Sequence, residues 1–238
     1  MMKVSVVLPT YNEKGNIIRL LEQLIVTLDG ILINDFELLV IDDDSSDGTS
    51  QAVKEFMGSD DRVKLNVRKN VRGLASAVRT GIEMSQGEIV VLMDTDFNHN
   101  PKDVRRLVEP VGDYDIVVGS RYIKGGFMES SVIRHYLSYF FNLFIRSYLG
   151  LETMDNLSGF IAIKREVINK IDMNLVFSGF GEYHIRFIYW AFLRGYKILE
   201  IPVVYNERSY GKSKFKPLEN LTNYTVTVIQ TKKDIKLF

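Results

Sequence analysis

The segment Ile89–Asp96 has the sequence Ile-Val-Val-Leu-Met-Asp-Thr-Asp, an apolar run that ends in two carboxylates separated by one residue. A run that is apolar at every position predicts a strand buried on both faces, as in a parallel sheet covered by helices. Ligands of open α/β sheets bind beyond the carboxyl ends of the strands. The segment therefore predicts an α/β protein with acidic groups in its ligand crevice.

The same pattern extends on both sides of this segment. Short β-branched runs alternate with stretches whose apolar residues keep the i, i+3, i+4 spacing of one helix face. The strands predicted in the first half are Val4–Leu8, Leu38–Ile41, Val63–Val67, Ile89–Met93 and Ile116–Val118. Alternation of this kind predicts a mostly parallel central sheet flanked by helices.

Composition excludes several classes of protein. The chain has 238 residues, and its 30 Lys and Arg residues balance its 30 Asp and Glu residues, so overall charge gives no reason to expect nucleic-acid binding. Cysteine is absent, which excludes disulfides, Cys-ligated zinc and a thiol nucleophile.

We expect no signal peptide at the N-terminus. We also expect no membrane-spanning helix within Val132–Leu149, because four charged or polar residues interrupt this stretch.

Asp94 and Asp96 are candidate ligands for a divalent cation. Two carboxylates in one crevice repel each other unless a cation lies between them, and Mg²⁺ or Mn²⁺ prefers oxygen ligands. Asn98 offers an amide oxygen to the same point. A solvated turn is the alternative for so short a motif, but its position after an apolar strand and before Pro101 favours a metal site.

Three successive acids, Asp42, Asp43 and Asp44, follow another predicted strand. Acids favour a helix N-terminus, so capping is one interpretation. Side chains alternate along an extended backbone, so only one or two of the three would face the crevice. A carboxylate there accepts hydrogen bonds from a base N–H or from ribose hydroxyls, and we assign that position to Asp42.

The motifs together resemble the GT-A family of inverting glycosyltransferases, in its dolichol-phosphate mannose synthase-like branch. In chain order they are Pro9–Glu13, Val40–Thr49, Asp94–Asp96, Gly119–Tyr122, Asp155–Phe160 and Arg208–Lys214. The resemblance spans residues 3–216 and implies a Rossmann-like GT-A fold in one domain, 1–238. Its parts would be a nucleotide-sugar-binding half at 1–122, an acceptor-side half at 123–216 and a C-terminal amphipathic helix at 217–238.

The resemblance also implies roles for individual residues. Those that would line the nucleotide pocket are Pro9, Tyr11, Glu13, Val40 and Asp42. Asp94, Thr95 and Asp96 would hold the sugar-nucleotide diphosphate, with Asp94, Asp96 and Asn98 on the metal side. Arg121, Arg208 and Lys214 would be the cationic positions, and with Asp96 they are the expected catalytic residues. Asp44 stands where the branch usually has glycine, and aspartate tolerates a left-handed backbone better than most residues.

The activity that the resemblance implies is transfer of a hexose from a nucleoside-diphosphate sugar to a membrane polyprenyl (dolichyl) phosphate, with Mg²⁺ or Mn²⁺ as cofactor. GDP-mannose is the favoured donor, and UDP-glucose stays open. A polyprenyl phosphate is already an anion, so it needs no base to attack the anomeric carbon. We expect a cytoplasmic protein held peripherally at the membrane, with no nucleic-acid partner and with a membrane protein as a possible anchor.

Two other functions stay open. In the first, the acceptor is a sugar hydroxyl of a glycan, with Glu182 or a nearby acid as the base. In the second, the chain is a non-catalytic nucleotide-binding module, although Pro9–Glu13 stands where a dinucleotide-binding Gly-x-Gly-x-x-Gly loop is expected.

Three further features have a structural alternative. The aromatic and basic helix predicted at Val132–Leu149 suits either a core or a membrane interface. Glu182 fits a helix first turn as well as a catalytic acid. The histidines His99, His135 and His184 are far apart in sequence, lack metal-site spacing and are interpreted as structural.

Overall fold

The computed structural model describes residues 3–30, 35–130, 132–207 and 217–233, with backbone alone for residues 132 and 217–220. The strands are β1 (Val4–Thr10), β2 (Phe36–Asp42), β3 (Val63–Val67), β4 (Ile89–Leu92), β5 (Ile116–Ser120), β6 (Phe127–Met128), β7 (Ile161–Lys164), β8 (Ile198–Pro202) and β9 (Val204–Tyr205). Each strand predicted in the first half is present within two residues at each end. β4 is apolar and buried at every position, as a strand covered on both faces should be, whereas β3 is half-buried at four of its five positions.

Helices connect these strands. They are α1 (Ile17–Asp29), α2 (Thr49–Met57), α3 (Leu74–Met84), α4 (Asp103–Val108), α5 (Val132–Leu149), α6 (Arg165–Ile168), α7 (Met173–Val176), α8 (Tyr183–Leu193) and α9 (Pro217–Lys233). In α1 the buried residues repeat at helical spacing, which is the pattern that predicts this helix from sequence. In the part of the chain that the structure describes, no helix is both long enough and apolar enough to cross a membrane.

Seven strands form one sheet in the order β3-β2-β1-β4-β7-β5-β8, and β6 pairs with β9 in a small second sheet. β1 lies parallel to β2 and to β4, with Val7 opposite both Leu39 and Leu92. β7 is the exception, because it runs antiparallel to β4 and β5 between them. The α/β fold with a mostly parallel sheet is confirmed.

The core has one apolar layer on each face of the sheet. Helices α1, α2 and α4 pack on one face, while α3 and the helices from α5 to α9 pack on the other. Val7 and Val6 belong to opposite layers, as expected for successive residues of a strand. Burial of both faces fixes the register and so aligns the loops at the carboxyl ends of β1, β2, β3 and β4.

Candidate active site

The crevice lies at the position in the sheet where the order of successive strands reverses. From β1 the chain passes to β2 and β3 on one side, whereas β4 lies on the other side of β1, and ligands of α/β sheets bind at such a switch point. The hydroxyl of Thr95 donates to the Pro9 carbonyl at 3.4 Å, so the loops after β4 and β1 touch. The predicted loops therefore meet at one edge of the sheet.

The loop after β2 uses its three acids in three ways. Asp42 is fully buried and accepts hydrogen bonds from the amide and the hydroxyl of Ser45. Burial raises the pKa of Asp42, against the lowering effect of these hydrogen bonds. Asp43 is also buried, whereas Asp44 is exposed on a left-handed backbone with φ of 58°. The acid that faces solvent is thus Asp44, whereas Asp42 is bonded to Ser45, and the place of Asp42 in the nucleotide pocket stays a prediction.

Asp43 joins the loops after β2 and β3. One of its carboxylate oxygens accepts from Arg68 Nε at 2.8 Å, and the other accepts from the Gly73 amide at 2.8 Å. Gly73 has φ of 145°, a conformation that a side chain disfavours, so glycine is required at this contact. On the same side of the crevice, the Arg72 guanidinium lies 4.7 Å from the centre of the Tyr11 ring. This flat, cationic surface suits a nucleotide base and its phosphates.

Three other predicted pocket residues have different environments. Pro9 is half-buried at the crevice. Glu13 is buried and accepts from Asn16 Nδ2 at 2.7 Å, at the start of α1. Val40 is fully buried in the apolar layer under α1, α2 and α4. The Val40 side chain packs in the core beneath the crevice, and its place in the nucleotide pocket stays a prediction.

The acidic loop after β4 brings Asp94 and Asp96 close to Tyr205. Burial, and then the charges of Asp94 and Asp96, raise the pKa of the Tyr205 hydroxyl. The Asn98 side-chain nitrogen donates to Asp96 Oδ2 at 2.8 Å and also to the Tyr205 hydroxyl. The Asn98 amide oxygen is therefore the atom left to face a cation.

Oxygen atoms of Asp94, Asp96 and Asn98 suit Mg²⁺ or Mn²⁺, which take carboxylate ligands together with substrate phosphates. Among the described residues, no three Asp, Glu or His side chains come together as a ready cluster for a metal. A cation at this loop would therefore be held by two carboxylates and one amide oxygen, and a diphosphate would complete its coordination.

Arg121 is held by a buried carboxylate. Its Nε donates to Asp155 Oδ2 at 2.7 Å, and its Nη2 donates to Asp155 Oδ1 at 2.7 Å. Burial lowers the pKa of Arg121 and the charge of Asp155 raises it, with a net increase. The guanidinium also lies 5.4 Å from the Tyr205 ring centre, so it is next to the acidic loop. Two of its nitrogen atoms are occupied by Asp155, which sequence reasoning did not predict as its partner.

The remaining predicted cationic residues, Arg208 and Lys214, lie outside the described residues. Their roles stay predictions.

The sequence analysis named His99, Glu182 and His184 separately, but it did not predict that their polar atoms would be buried without partners in the described structure. Within the described ranges, the buried side-chain atoms without a hydrogen-bond partner are His99 Nδ1, Glu182 Oε2 and both ring nitrogens of His184. His99 stacks on Phe160, and burial lowers the pKa of His99 and of His184 to about 3, so both imidazoles are neutral. His135 instead lies among aromatic rings of α5. The Gly-rich turn before Glu182 was the available sequence signal.

Comparison with known proteins identifies the family. The model of the family described as "Glycosyl transferase family 2" matches residues 5–172. The chain belongs to this family. This membership confirms the prediction of a glycosyltransferase, and the curated relatives described next confirm the resemblance to the dolichol-phosphate mannose synthase-like branch.

Two curated relatives have names that refer to mannose and to dolichol phosphate or polyprenol. The chain is 34% identical over 221 residues to the dolichol-phosphate mannosyltransferase of Pyrococcus furiosus, covering 90% of this chain and 60% of that protein. It is 34% identical over 218 residues to the polyprenol monophosphomannose synthase of Mycolicibacterium smegmatis, covering 89% of this chain and 80% of that protein. The chain thus spans 60% of the length of the first relative and 80% of the second.

A solved structure supports the fold. Glucosyl-3-phosphoglycerate synthase from Mycobacterium tuberculosis, in complex with Mn²⁺, UDP and glucosyl-3-phosphoglycerate, superposes with a TM-score of 0.66. It is 24% identical, and the match covers 97% of this chain and 78% of that one. At this identity the likeness shows that both chains have the GT-A fold.

Proposed function

We propose that this protein transfers a hexose from a nucleoside-diphosphate sugar to a polyprenyl phosphate, with inversion at the anomeric carbon. The observation that carries the proposal is the acidic loop of Asp94 and Asp96, which lies at the switch point of the sheet against the Pro9 loop. Family membership and the names of the two curated relatives support both the reaction class and the lipid acceptor.

The donor would lie across the edge of the sheet. Its base and ribose would face Tyr11, Arg72 and Asp44 on the β1–β3 side, and its diphosphate would reach the loop after β4. Asp94, Asp96 and the amide oxygen of Asn98 would hold a divalent cation, Mg²⁺ or Mn²⁺. When bound, this cation supplies positive charge to the leaving diphosphate. The Mn²⁺ and UDP named for the related synthase support this arrangement.

The acceptor needs no general base. An oxygen of the polyprenyl phosphate attacks the anomeric carbon, a new C–O bond forms, and the bond from that carbon to the diphosphate oxygen breaks. The electron pair of that bond leaves with the nucleoside diphosphate, and no proton is transferred. The protein contributes orientation and electrostatic stabilisation, for which Arg121, Arg208 and Lys214 are the proposed cations.

The outer face of α5 supports a lipid acceptor. Exposed apolar and aromatic side chains recur over three turns of this helix; they are Ile133, Tyr136, Leu137, Phe140, Leu143 and Phe144. Leu137 is 66% exposed and Phe140 is 60% exposed. A contiguous apolar face on a helix that also carries Arg134 and Arg146 suits the boundary between lipid headgroups and acyl chains.

We infer that α5 lies against the membrane where the lipid acceptor resides. Tyr122, directly after β5, donates through its hydroxyl to Ser138 on α5 at 2.7 Å. Arg121 is the preceding residue, so this hydrogen bond ties the helix to the site. Peripheral attachment at the cytoplasmic face, and a membrane protein that supplies an anchor, belong to the same proposal.

The favoured donor is GDP-mannose, because both curated relatives are named for mannose. UDP-glucose is the second candidate, since the related synthase was crystallised with UDP and a glucosyl product.

A second function is favoured by one observation. Glu182 is 9% exposed, and its Oε2 atom has no hydrogen-bond partner in the described structure. A carboxylate in that state is able to accept a proton, as a sugar-hydroxyl acceptor would require. Transfer to a glycan is therefore the alternative reaction.

Product analysis distinguishes the two reactions. Purified protein, Mn²⁺, a radiolabelled sugar nucleotide and vesicles containing a polyprenyl phosphate are incubated, and the products are partitioned between organic solvent and water. The proposal expects label in an organic-extractable, acid-labile lipid. Label only in water-soluble or polymeric glycan would reject the lipid acceptor, and would be expected to disappear in a Glu182→Gln variant.

A further inference from the structure

His184 lies in the first turn of α8 with no partner for its polar atoms. It is 3% exposed, and neither ring nitrogen makes a hydrogen bond within the described structure. A buried polar atom without a partner costs about 1–3 kcal/mol, so such atoms are rare and call for an explanation. A structural histidine, as the sequence predicted, would be expected to have at least one partner. The position of His184 beside Asp94 suggests that its partner is a ligand.

Gly159 keeps a space open between His184 and Asp94. A Cβ atom at Gly159 would lie 3.5 Å from His184 Nε2 and 3.6 Å from Asp94 Oδ2, both ordinary contact distances. The φ angle of Gly159 lies outside the left-handed range, so its conformation does not require glycine. Gly159 and Asp94 are both partly exposed, so this space borders the crevice.

The chemistry around this space favours a hydroxyl group. Asp94 borders this space, and the two charges that act on His184, those of Asp155 and Arg121, are paired with each other. The carboxylate of Asp94 therefore disfavours a second anion there, such as another phosphate. A neutral imidazole has one N–H donor and one nitrogen acceptor, and an ionised carboxylate only accepts. A hydroxyl both donates and accepts, so one hydroxyl can donate to Asp94 and accept from His184. A sugar presents several such groups next to its anomeric carbon.

We propose that His184 and Gly159, together with Asp94, form a seat for one hydroxyl of the donor hexose, and that His184 determines which hexose is accepted. This inference rests on the proposed function, because it requires a nucleoside-diphosphate sugar in the crevice. It adds that sugar selection depends on a side chain of α8, 25 residues beyond Gly159 in the chain. A donor whose hydroxyl is absent or inverted at that carbon leaves the buried imidazole unpaired and is rejected.

Gly159→Ala provides the sharpest test, because the added methyl group enters the proposed seat yet meets only ordinary contacts. Titration calorimetry with Mn²⁺ compares GDP with GDP-mannose, and UDP with UDP-glucose. In the wild type, we expect the sugar nucleotide of one pair to bind more tightly than its diphosphate. The affinity ratio is the affinity for the sugar nucleotide divided by the affinity for its diphosphate. In Gly159→Ala we expect this ratio to fall by at least about tenfold, while the affinity for the diphosphate alone is retained.

Gly112→Ala is the matched control, since a Cβ there meets nothing within 4 Å and its φ is outside the left-handed range. It should keep the wild-type ratio. Two variants of His184 add a chemical test. His184→Leu removes both polar atoms and should lower the affinity ratio of sugar nucleotide to diphosphate. His184→Gln keeps a donor and an acceptor and should retain part of the wild-type ratio.

The outcomes separate the inference from the proposed function. A wild-type ratio in Gly159→Ala, or in a folded His184→Leu, overturns the seat. The proposed seat is also excluded if the wild type binds a diphosphate with Mn²⁺ and binds the corresponding sugar nucleotide no more tightly. The proposed function then stands. If the wild type binds neither diphosphate, the proposed function fails and the seat with it. Should His184→Leu not fold, Gly159→Ala decides the matter.

Discussion

Asp155 and Arg121 form a two-point ion pair in which the Asp155 side chain is completely buried and the Arg121 side chain is 10% exposed. Burial raises the pKa of Asp155, but the charge and hydrogen bonds of Arg121 outweigh this effect and the net pKa is lowered. Glu200 on β8 accepts from the Asp155 amide at 2.9 Å and so fixes the backbone of the same loop. The pair thus joins the end of β5 to the loop that carries Gly159.

Removing one member of this pair should destabilise the protein strongly. Asp155→Asn leaves the Arg121 charge buried without compensation, and we expect a loss of about 3–5 kcal/mol in the free energy of unfolding. Urea unfolding at pH 7 measures this loss. The matched control is Glu109→Gln, which breaks the exposed pair Arg105–Glu109 and should cost less than about 1 kcal/mol. Equal effects of the two variants would contradict a buried, coupled pair.

The same pair has a definite pH dependence. Because the pKa of Asp155 is lower in the folded state than its ordinary value of 3.8, its stabilising contribution is complete above that value. The contribution decreases as the pH falls through the lower, folded pKa. The difference in melting temperature between the wild type and Asp155→Asn should therefore be large at pH 7 and smaller near pH 3. A difference that grows on acidification would show that the sign is wrong.

Asp96 should be essential for turnover but not for folding. It lies in the crevice loop after β4, and its carboxylate is held by the amide and side chain of Asn98. We expect Asp96→Ala to lower kcat by at least about a hundredfold and to keep the wild-type circular dichroism spectrum. Thermal stabilisation by a nucleoside diphosphate with Mn²⁺ should also disappear.

Asp113→Asn is the control for Asp96, because Asp113 is exposed and precedes β5 at the opposite edge of the sheet. It should keep both kcat and the metal-dependent stabilisation. Near-normal turnover in Asp96→Ala would refute the role assigned to that residue, and stabilisation that survives EDTA in the wild type would count against a metal-bridged diphosphate.

The sequence predicts the parts of this structure that depend on local pattern. Strands buried on both faces are apolar throughout, so Ile89–Leu92 is identified without knowledge of its neighbours. The acids that follow it lie at the crevice because parallel strands end at the same edge. The branch usually has glycine at the position of Asp44, which predicts a left-handed backbone there. The observed φ of 58° agrees with this expectation.

The parts that depend on contacts between distant residues were not predicted. Arg121 and Asp155 are 34 residues apart, and nothing local to either indicates that they pair. The direction of β7 depends on which strands it joins, and its own sequence carries no signal of direction. His184 and Asp94 both lie close to Gly159, although all three are distant in the sequence, so their proximity depends on tertiary structure. Val40 was assigned to the nucleotide pocket from the motif alone. Its side chain lies in the apolar layer under α1, α2 and α4, because successive side chains of β2 point to opposite faces of the sheet.

Asp44 offers a test of backbone strain at the crevice. Its φ of 58° is unfavourable for a residue with a Cβ atom, while glycine adopts it freely. We expect Asp44→Gly to be more stable than Asp44→Ala by about 0.5–1 kcal/mol, the reverse of the usual order for these two residues. Urea unfolding of both variants measures the difference. If alanine is the more stable, the backbone at this position is not left-handed.

The exposed face of α5 provides the test of membrane attachment. Leu137→Glu combined with Phe140→Glu places two charges on this face, and we expect at least about tenfold weaker binding to anionic phospholipid vesicles in a sedimentation assay. Activity on a polyprenyl phosphate within vesicles should fall in parallel, because the enzyme reaches that acceptor only at the membrane. Activity on a short-chain, water-soluble polyprenyl phosphate should persist, because neither residue takes part in the chemistry.

The matched control for this face is Val26→Glu, since Val26 is 72% exposed on α1, which packs on the other face of the sheet. It should bind vesicles as the wild type does, which separates the position of the charge from its mere addition. Unchanged vesicle binding in the double α5 variant would exclude this helix as the membrane surface. Loss of activity on both acceptors would instead place α5 in the catalytic machinery, because a purely membrane-binding face affects only the acceptor that is embedded in lipid.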